Sequence, residues 1–244
     1  MNSTSSLLAS PLIVALDCAT SAQALELAKQ LNPQQCRVKV GKELFIAAGP
    51  SVVEQLQALG FEVFLDLKLF DIPNTVAGAV ASAADLGVWM LTLHAMGGRS
   101  MLHAAVMSVQ EKSHAPLLIG VTVLTSMNAT QLAETGVESG LQDHVMRLAN
   151  LCQGVGLNGC VASAQEAPLF RSSFGRAFTL VTPGIRFAKA AEPNSKDDQQ
   201  RVCTPKEAIV NGSTYLVMGR PITQASDPQK AVEKVLADLA LSSF

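Results

Sequence analysis

Charge is scarce in this chain. Of its 244 residues only 16% are Asp, Glu, Lys or Arg, against roughly 25% in an ordinary soluble domain. With 48% apolar residues, the surface carries more neutral and apolar side chains than usual, which favours a buried subunit interface. Eighteen basic against twenty acidic residues leave a net charge of -2, and no basic tract interleaved with aromatics is present to grip a nucleic-acid backbone. No nucleic-acid partner is expected. The five cysteines, Cys18, Cys36, Cys152, Cys160 and Cys203, are odd in number and form no CxxC pair, so neither a disulfide framework nor a zinc site is signalled. They read as buried free thiols in a reducing compartment. No apolar run approaches the roughly 18 residues that span a bilayer. The leader MNSTSSLLAS has no basic n-region and does not read as a secretory signal. A cytoplasmic protein without a membrane partner is expected, with residues 1–10 as a short disordered leader.

What the chain does have is alternation. Short runs rich in Val, Ile, Leu and Phe alternate with stretches of helical period, the pattern of βα units around a parallel sheet. Strands are predicted over Leu12–Asp17, Arg37–Val40, Glu62–Leu67, Val88–His94, Leu117–Leu124, Gly159–Ala162, Phe178–Val181 and Tyr215–Gly219. Helices are predicted over Ser21–Leu31 with Ser21 as its cap, over Val76–Leu86, and over Pro228–Leu241 with Val232, Val235, Leu236 and Leu239 on one stripe. Eight strands, each followed by a helix, within roughly the 250 residues usual for the fold, predict a (β/α)8 TIM barrel in a single α/β domain over residues 11–244. An open doubly wound sheet is the competing architecture. Its dinucleotide-binding form needs a GxGxxG turn after the first strand, and Asp17-Cys18-Ala19-Thr20 stands there instead. The stretch from Gly184 to Val202 has almost no periodic apolar positions; a loop that long in a compact domain is usually a functional lid or disordered. A closing loop is therefore expected at about 184–203.

Active sites of such barrels lie at the C-terminal ends of the strands, with phosphate often held after strands seven and eight. Standing at those ends here are Asp17, Lys39, Asp66 with Lys68, His94, Thr125 with Ser126, Gly184–Arg186 and Gly219–Arg220. Each of the last two pairs a glycine, which allows close backbone approach, with an arginine whose fork suits phosphate oxygens. Asp66 and Lys68 are two apart on a strand, so an acid and a base share one side. Lys39, Asp66, Lys68 and Asp71 together make two positive and two negative charges near the barrel mouth. That set reads equally as a catalytic group and as a structural ion-pair network. Asp71, just ahead of Pro73, reads also as an acid at a helix start. His94 is a general-base candidate on composition, and a satisfied structural histidine on the alternative reading.

DLKLFDIPNT at Asp66–Thr75 is preceded by VKVGKELF and followed in barrel order by LTLHAMGG, VTVLTSM, LVTPGIR and VMGRPIT. This ordered set, from about Leu12 to Pro228, closely resembles the orotidine 5'-phosphate decarboxylases. Sugar-phosphate decarboxylases of the same suprafamily share the DxKxxD core, but typically place an acid that helps hold magnesium at the end of strand two, where this chain has Lys39. The resemblance implies cofactor-free conversion of orotidine 5'-monophosphate to UMP and CO2, the last step of pyrimidine nucleotide synthesis, by a homodimer with shared active sites. Carried over by position, Lys39, Asp66 and Lys68 come from one subunit, and Asp71 and Thr75 from its partner. Asp17 and Lys39 would bind the ribose hydroxyls, Thr125 with Ser126 the pyrimidine, and Arg186, Gln199, Gly219 and Arg220 the phosphate. Gln200 is the neighbour that could take the place of Gln199. Loss of CO2 leaves an in-plane carbanion at C6 that the ring cannot delocalise. Stabilisation must then be electrostatic, which assigns Lys68 as the cation beside C6 and its proton donor. Alternative readings are a magnesium-dependent sugar-phosphate decarboxylase, a catalytically silent nucleotide-binding barrel, and a barrel isomerase using His94.

Overall fold

The computed structural model describes residues 10–187 and 203–240. The expected leader 1–10, apart from Ser10, and most of the expected closing loop at 184–203 lie outside the described residues, as do Gln199 and Gln200. All eight strands are present and close into a parallel barrel in sequence order. They are β1 (Leu12–Ala15), β2 (Arg37–Gly41), β3 (Val63–Leu69), β4 (Met90–His94), β5 (Leu117–Val121), β6 (Gly159–Val161), β7 (Thr179–Thr182) and β8 (Tyr215–Met218). β8 returns to pair with β1, Leu216 opposite Leu12, so no edge is left unpaired.

Local chemistry sets the ends of the elements more finely than periodicity does. The first helix runs Ser21–Ala28, three residues shorter than expected, and its cap is Thr20, whose hydroxyl accepts from the Gln23 amide at 3.3 Å. The helix expected from Val76 begins at Pro73 and ends at Asp85, because Pro lacks an amide and suits the first helical turn. Ile72 occupies its N-cap position without a side-chain bond; Asp71 is therefore not the cap. The last helix, Pro228–Ala240, buries Val232 and Val235 as its stripe predicts.

Two apolar layers result. Ile13, Phe64, Met90, Ile119 and Val181 fill the barrel interior, while residues such as Val38, Leu65 and Leu91 face outward against the helices. Close strand approach requires glycine at one position: a Cβ on Gly159 would lie 1.9 Å from the Thr179 carbonyl oxygen. The N-terminal end of the barrel is closed by Arg37, only 2% exposed. It pairs with Glu62 at 2.7 Å and donates to the Ser10 carbonyl at 2.7 Å. Its guanidinium also lies 4.2 Å from the Trp89 ring centroid and 5.3 Å from that of Tyr215, the geometry of a cation–π contact. Arg37 thus fills the end of the barrel opposite the C-terminal strand ends. All five cysteines are free thiols, with Cys36, Cys152 and Cys160 buried.

Candidate active site

On β2 and β3 the period-two rule decides which side chains reach the mouth. Val38 and Val40 pack outward, so Lys39 points in. Leu65, Leu67 and Leu69 pack outward, so Phe64, Asp66 and Lys68 point in, as predicted from their spacing. Here β3 is nevertheless irregular. Leu65 pairs with Leu91 and Leu69 with Leu93, leaving Asp66, Leu67 and Lys68 opposite the single residue Thr92. Lys68 has φ 50°, the only non-glycine residue with positive φ among those described. Sidedness survives this bulge, while the backbone ladder does not.

Inside the mouth the charges form a row of alternating sign. The Lys39 ammonium lies 3.0 Å from Asp17 Oδ1 and 3.8 Å from Asp66 Oδ2. Lys68 Nζ donates to both oxygens of Asp66, each at 2.8 Å. Thr92 adds a donor, its hydroxyl 2.9 Å from Asp66 Oδ1. The side chain of Asp66 is 15% exposed and that of Asp17 66%, so the row runs from solvent into the barrel. Burial pushes the Asp66 carboxyl up, but Lys39 and Lys68 beside it, with the hydrogen bonds from Lys68 and Thr92, hold it below the usual carboxylate range. A carboxylate whose pKa is lowered by folding contributes stability above its unfolded pKa, and that contribution is lost as pH falls through the folded value.

This row forms one wall of a cavity of about 580 Å³, within the roughly 300–1,000 Å³ of small-molecule sites. Its floor is apolar: Phe64, Val121, Val161, Val181 and Val217. Thr125 and Ser126 also line it, although β5 ends at Val121 rather than at Leu124, which puts both in the following loop. The rim after β7 and β8 carries Gly184, Arg186, Gly219, Arg220 and Gln224. Gly184 has φ 79°, a region open to glycine at little cost. Beyond it the chain is clamped, since the Arg186 amide donates to the Cys203 carbonyl at 2.9 Å and the Cys203 amide to the Gly184 carbonyl at 3.3 Å. The expected contact Gln199 falls between these tied ends. A polar-to-charged wall, an apolar floor and an arginine rim together suit a flat heterocycle carrying a phosphate.

The cavity therefore unites Asp17, Lys39, Asp66, Lys68, Thr125, Arg186, Gly219 and Arg220. Asp71 and Thr75 are not among its lining residues, and both are exposed. The Asp71 carboxylate accepts from the Ile72 amide at 2.6 Å. His94 is also absent from the lining; its Nδ1 accepts from the Met96 amide at 3.4 Å, and its ring stacks on Phe70 with centroids 5.6 Å apart. Burial, then Lys42 and Lys68, push its pKa down. These contacts fit the structural reading of His94. Reasoning from motifs passed over Thr92, Gln224 and the valine floor. Thr92 was within reach of the period-two rule, lying two residues after the inward Met90 and between the outward Leu91 and Leu93 on one strand. Among the described residues no cluster of three His, Cys, Asp or Glu side chains is placed to hold a metal.

Residues 10–235 match the family model described as orotidine 5'-phosphate decarboxylase / HUMPS family. The chain is 53% identical over 233 residues to an orotidine 5'-phosphate decarboxylase of Marinomonas sp. (strain MWYL1), covering 95% of this chain and 97% of that one. It is 56% identical to that of Laribacter hongkongensis over 231 residues, covering 95% and 93%. Among solved structures, the orotidine 5'-phosphate decarboxylase of Lactobacillus acidophilus superimposes with a TM-score of 0.82 at 36% identity, covering 94% of this chain and 99% of that one.

Proposed function

The chain belongs to the orotidine 5'-phosphate decarboxylase / HUMPS family, and from that premise we propose that it converts orotidine 5'-monophosphate to UMP and CO2 without a cofactor. The observation that carries this reading is the row Asp17, Lys39, Asp66, Lys68 beside an apolar floor. Lys39 separates it from magnesium-dependent relatives on physical grounds. Its ammonium stands between two carboxylates, where it would repel a divalent cation.

In the proposed reaction the C6–carboxylate bond breaks with its electron pair left on C6, CO2 departs, and the Lys68 ammonium delivers a proton to C6. Solvent then reprotonates Lys68. Asp66 faces the substrate carboxylate, so repulsion there is relieved as neutral CO2 forms. Two unit charges about 4 Å apart interact by about 4 kcal/mol at an effective dielectric of about 20, whereas the most demanding enzymatic accelerations correspond to about 20 kcal/mol. One ion contact is insufficient. The remainder comes from the fixed row acting in a dry site, with phosphate binding energy used to close the loop over it.

Asp17 and Lys39 bind the ribose hydroxyls in this reading, Thr125 and Ser126 the pyrimidine, and Arg186, Gly219 and Arg220, with Gln199 from the loop, the phosphate. Asp71 and Thr75 serve the site of a second subunit. Their exposure supports this, as do the apolar side chains around them, Phe70 at 61% exposure and Ile72 at 67%. Ile46 and Met96, also exposed, follow the neighbouring strands β2 and β4 and extend the same side of the mouth. A homodimer would cover them. In this reading the enzyme works in the cytoplasm on a free nucleotide. Separately, among the described residues no helix is long and apolar enough to cross a membrane.

Purified protein is expected to consume orotidine 5'-monophosphate in an ultraviolet assay at a rate unchanged by EDTA. Activity that vanished with EDTA would favour the magnesium-dependent sugar-phosphate reading, and absence of turnover the silent nucleotide-binding one. Arg220→Ala is expected to lower kcat/KM by about 30- to 100-fold, chiefly through KM, as loss of a charge-assisted phosphate contact does. The same variant should match the parent on a substrate lacking the phosphate. A large difference there would refute the phosphate role.

A further inference from the structure

Asp66 and Lys68 hold their places through a residue that no motif points to. Thr92 is fully buried on β4, opposite the three residues of β3 that the bulge leaves without regular partners. Its hydroxyl accepts from the Lys68 amide at 2.8 Å and donates to Asp66 Oδ1 at 2.9 Å. A hydroxyl has one proton to give and lone pairs to receive, so both capacities are used in one direction. Asp66 in turn accepts from Lys68 Nζ through both oxygens. The bonds therefore close a ring from the Lys68 amide through Thr92 and Asp66 to the Lys68 ammonium. We infer that Thr92 is a positioning residue for the decarboxylation, holding Lys68 by its backbone and Asp66 by its carboxylate so that the proton donor and the acid keep one mutual geometry.

Three features argue for this role over simple packing. Positive φ at a residue with a Cβ persists only where its surroundings impose it, and the Thr92 hydroxyl is the partner that receives the Lys68 amide. An apolar residue at position 92 would leave that amide without this acceptor in a buried setting, at the cost such groups carry. Finally, a carboxylate gripped from β3 and β4 at once, with Lys39 of β2 behind it, has little freedom to rotate. Asp66 is thereby faced by Lys39, Lys68 and Thr92, with Asp17 beyond Lys39.

This inference rests on the proposed reaction, and the parent enzyme controls for it. Thr92→Val keeps the β-branched shape that suits a strand and deletes the hydroxyl. Its kcat for orotidine 5'-monophosphate is expected to fall about 30-fold, the scale of a lost hydrogen bond to a charged group. KM and the Kd for UMP should stay within about threefold, because the arginine rim is untouched. The acid limb of kcat should also move to higher pH, since Asp66 loses a donor to its ionised form. Thr92→Ser retains the hydroxyl and is expected to restore kcat to within about threefold of the parent. Should Thr92→Val fail to fold, Thr92→Cys, of similar volume with a weak donor, carries the same expectation. A parent-like kcat in the Val or Cys variant, a loss confined to KM, or a Ser variant as slow as Val would each overturn the inference. A parent that left the substrate untouched would instead bring down the reaction itself, and the inference with it.

Discussion

Lys68→Ala is expected to lower turnover of orotidine 5'-monophosphate by at least about 10,000-fold, because in the proposed reaction it removes both the proton donor and the nearest cation. General acid catalysis contributes about 10²- to 10⁴-fold and a preorganised electrostatic contact about 10²- to 10³-fold. A 10,000-fold loss corresponds to about 5 kcal/mol of barrier. The fold should tolerate the change. Alanine and lysine both carry a Cβ, so the strain of φ 50° at this position is not increased. Asp66 keeps Lys39 at 3.8 Å and the Thr92 hydroxyl at 2.9 Å, although with one ammonium fewer its pKa rises and its contribution to stability near neutral pH shrinks. UMP titration and a thermal melt distinguish this outcome from unfolding. UMP binding close to that of the parent, with chemistry abolished, is the expected pair of results; turnover within tenfold of the parent would remove Lys68 from its role.

Subunits carrying Asp71→Ala are expected to be inactive by themselves and to regain activity when mixed with subunits carrying Lys68→Ala. If Asp71 serves the partner's site, each heterodimer has one site lacking both groups and one with both intact. Activity per heterodimer is then about half that of the parent, and random mixing, in which about half of all dimers are hybrids, gives about a quarter. Should Asp71 act within its own chain, every site lacks one group and nothing is recovered. In the single chain the Asp71 carboxylate accepts from the Ile72 amide at 2.6 Å and stands outside the cavity that holds Lys39, Asp66 and Lys68. The measurement is a rate at fixed total protein after subunit exchange, with each homodimer as a blank.

Apart from Arg37, Thr92 and Gln224, the polar and charged residues named here in the barrel and its mouth announced themselves by position. Strand period alone sets Asp66 and Lys68 on one side of β3, and the glycine–arginine pairs after β7 and β8 are equally plain in the residue order. Thr92 could not be given a role in that way, since threonine on a strand is ordinary and its partners are 24 and 26 positions away. Arg37 begins β2 like any surface residue, and only barrel closure brings Trp89 and Tyr215 over it.

By itself, then, the amino-acid order determined the eight strands, their alternation with helices, and the side of the strand on which Asp66 and Lys68 lie. Those are local properties, because side-chain direction follows from backbone period and survives even the bulge in β3. Tertiary structure alone decided that Asp17, Lys39, Asp66 and Lys68 alternate in sign through space, that one threonine opposite the bulge ties two of them together, and that Asp71 stands outside its own chain's cavity. Each depends on which strand lies beside which and in what register. That is settled by closing the barrel, where distant residues meet and buried charges must find opposite partners.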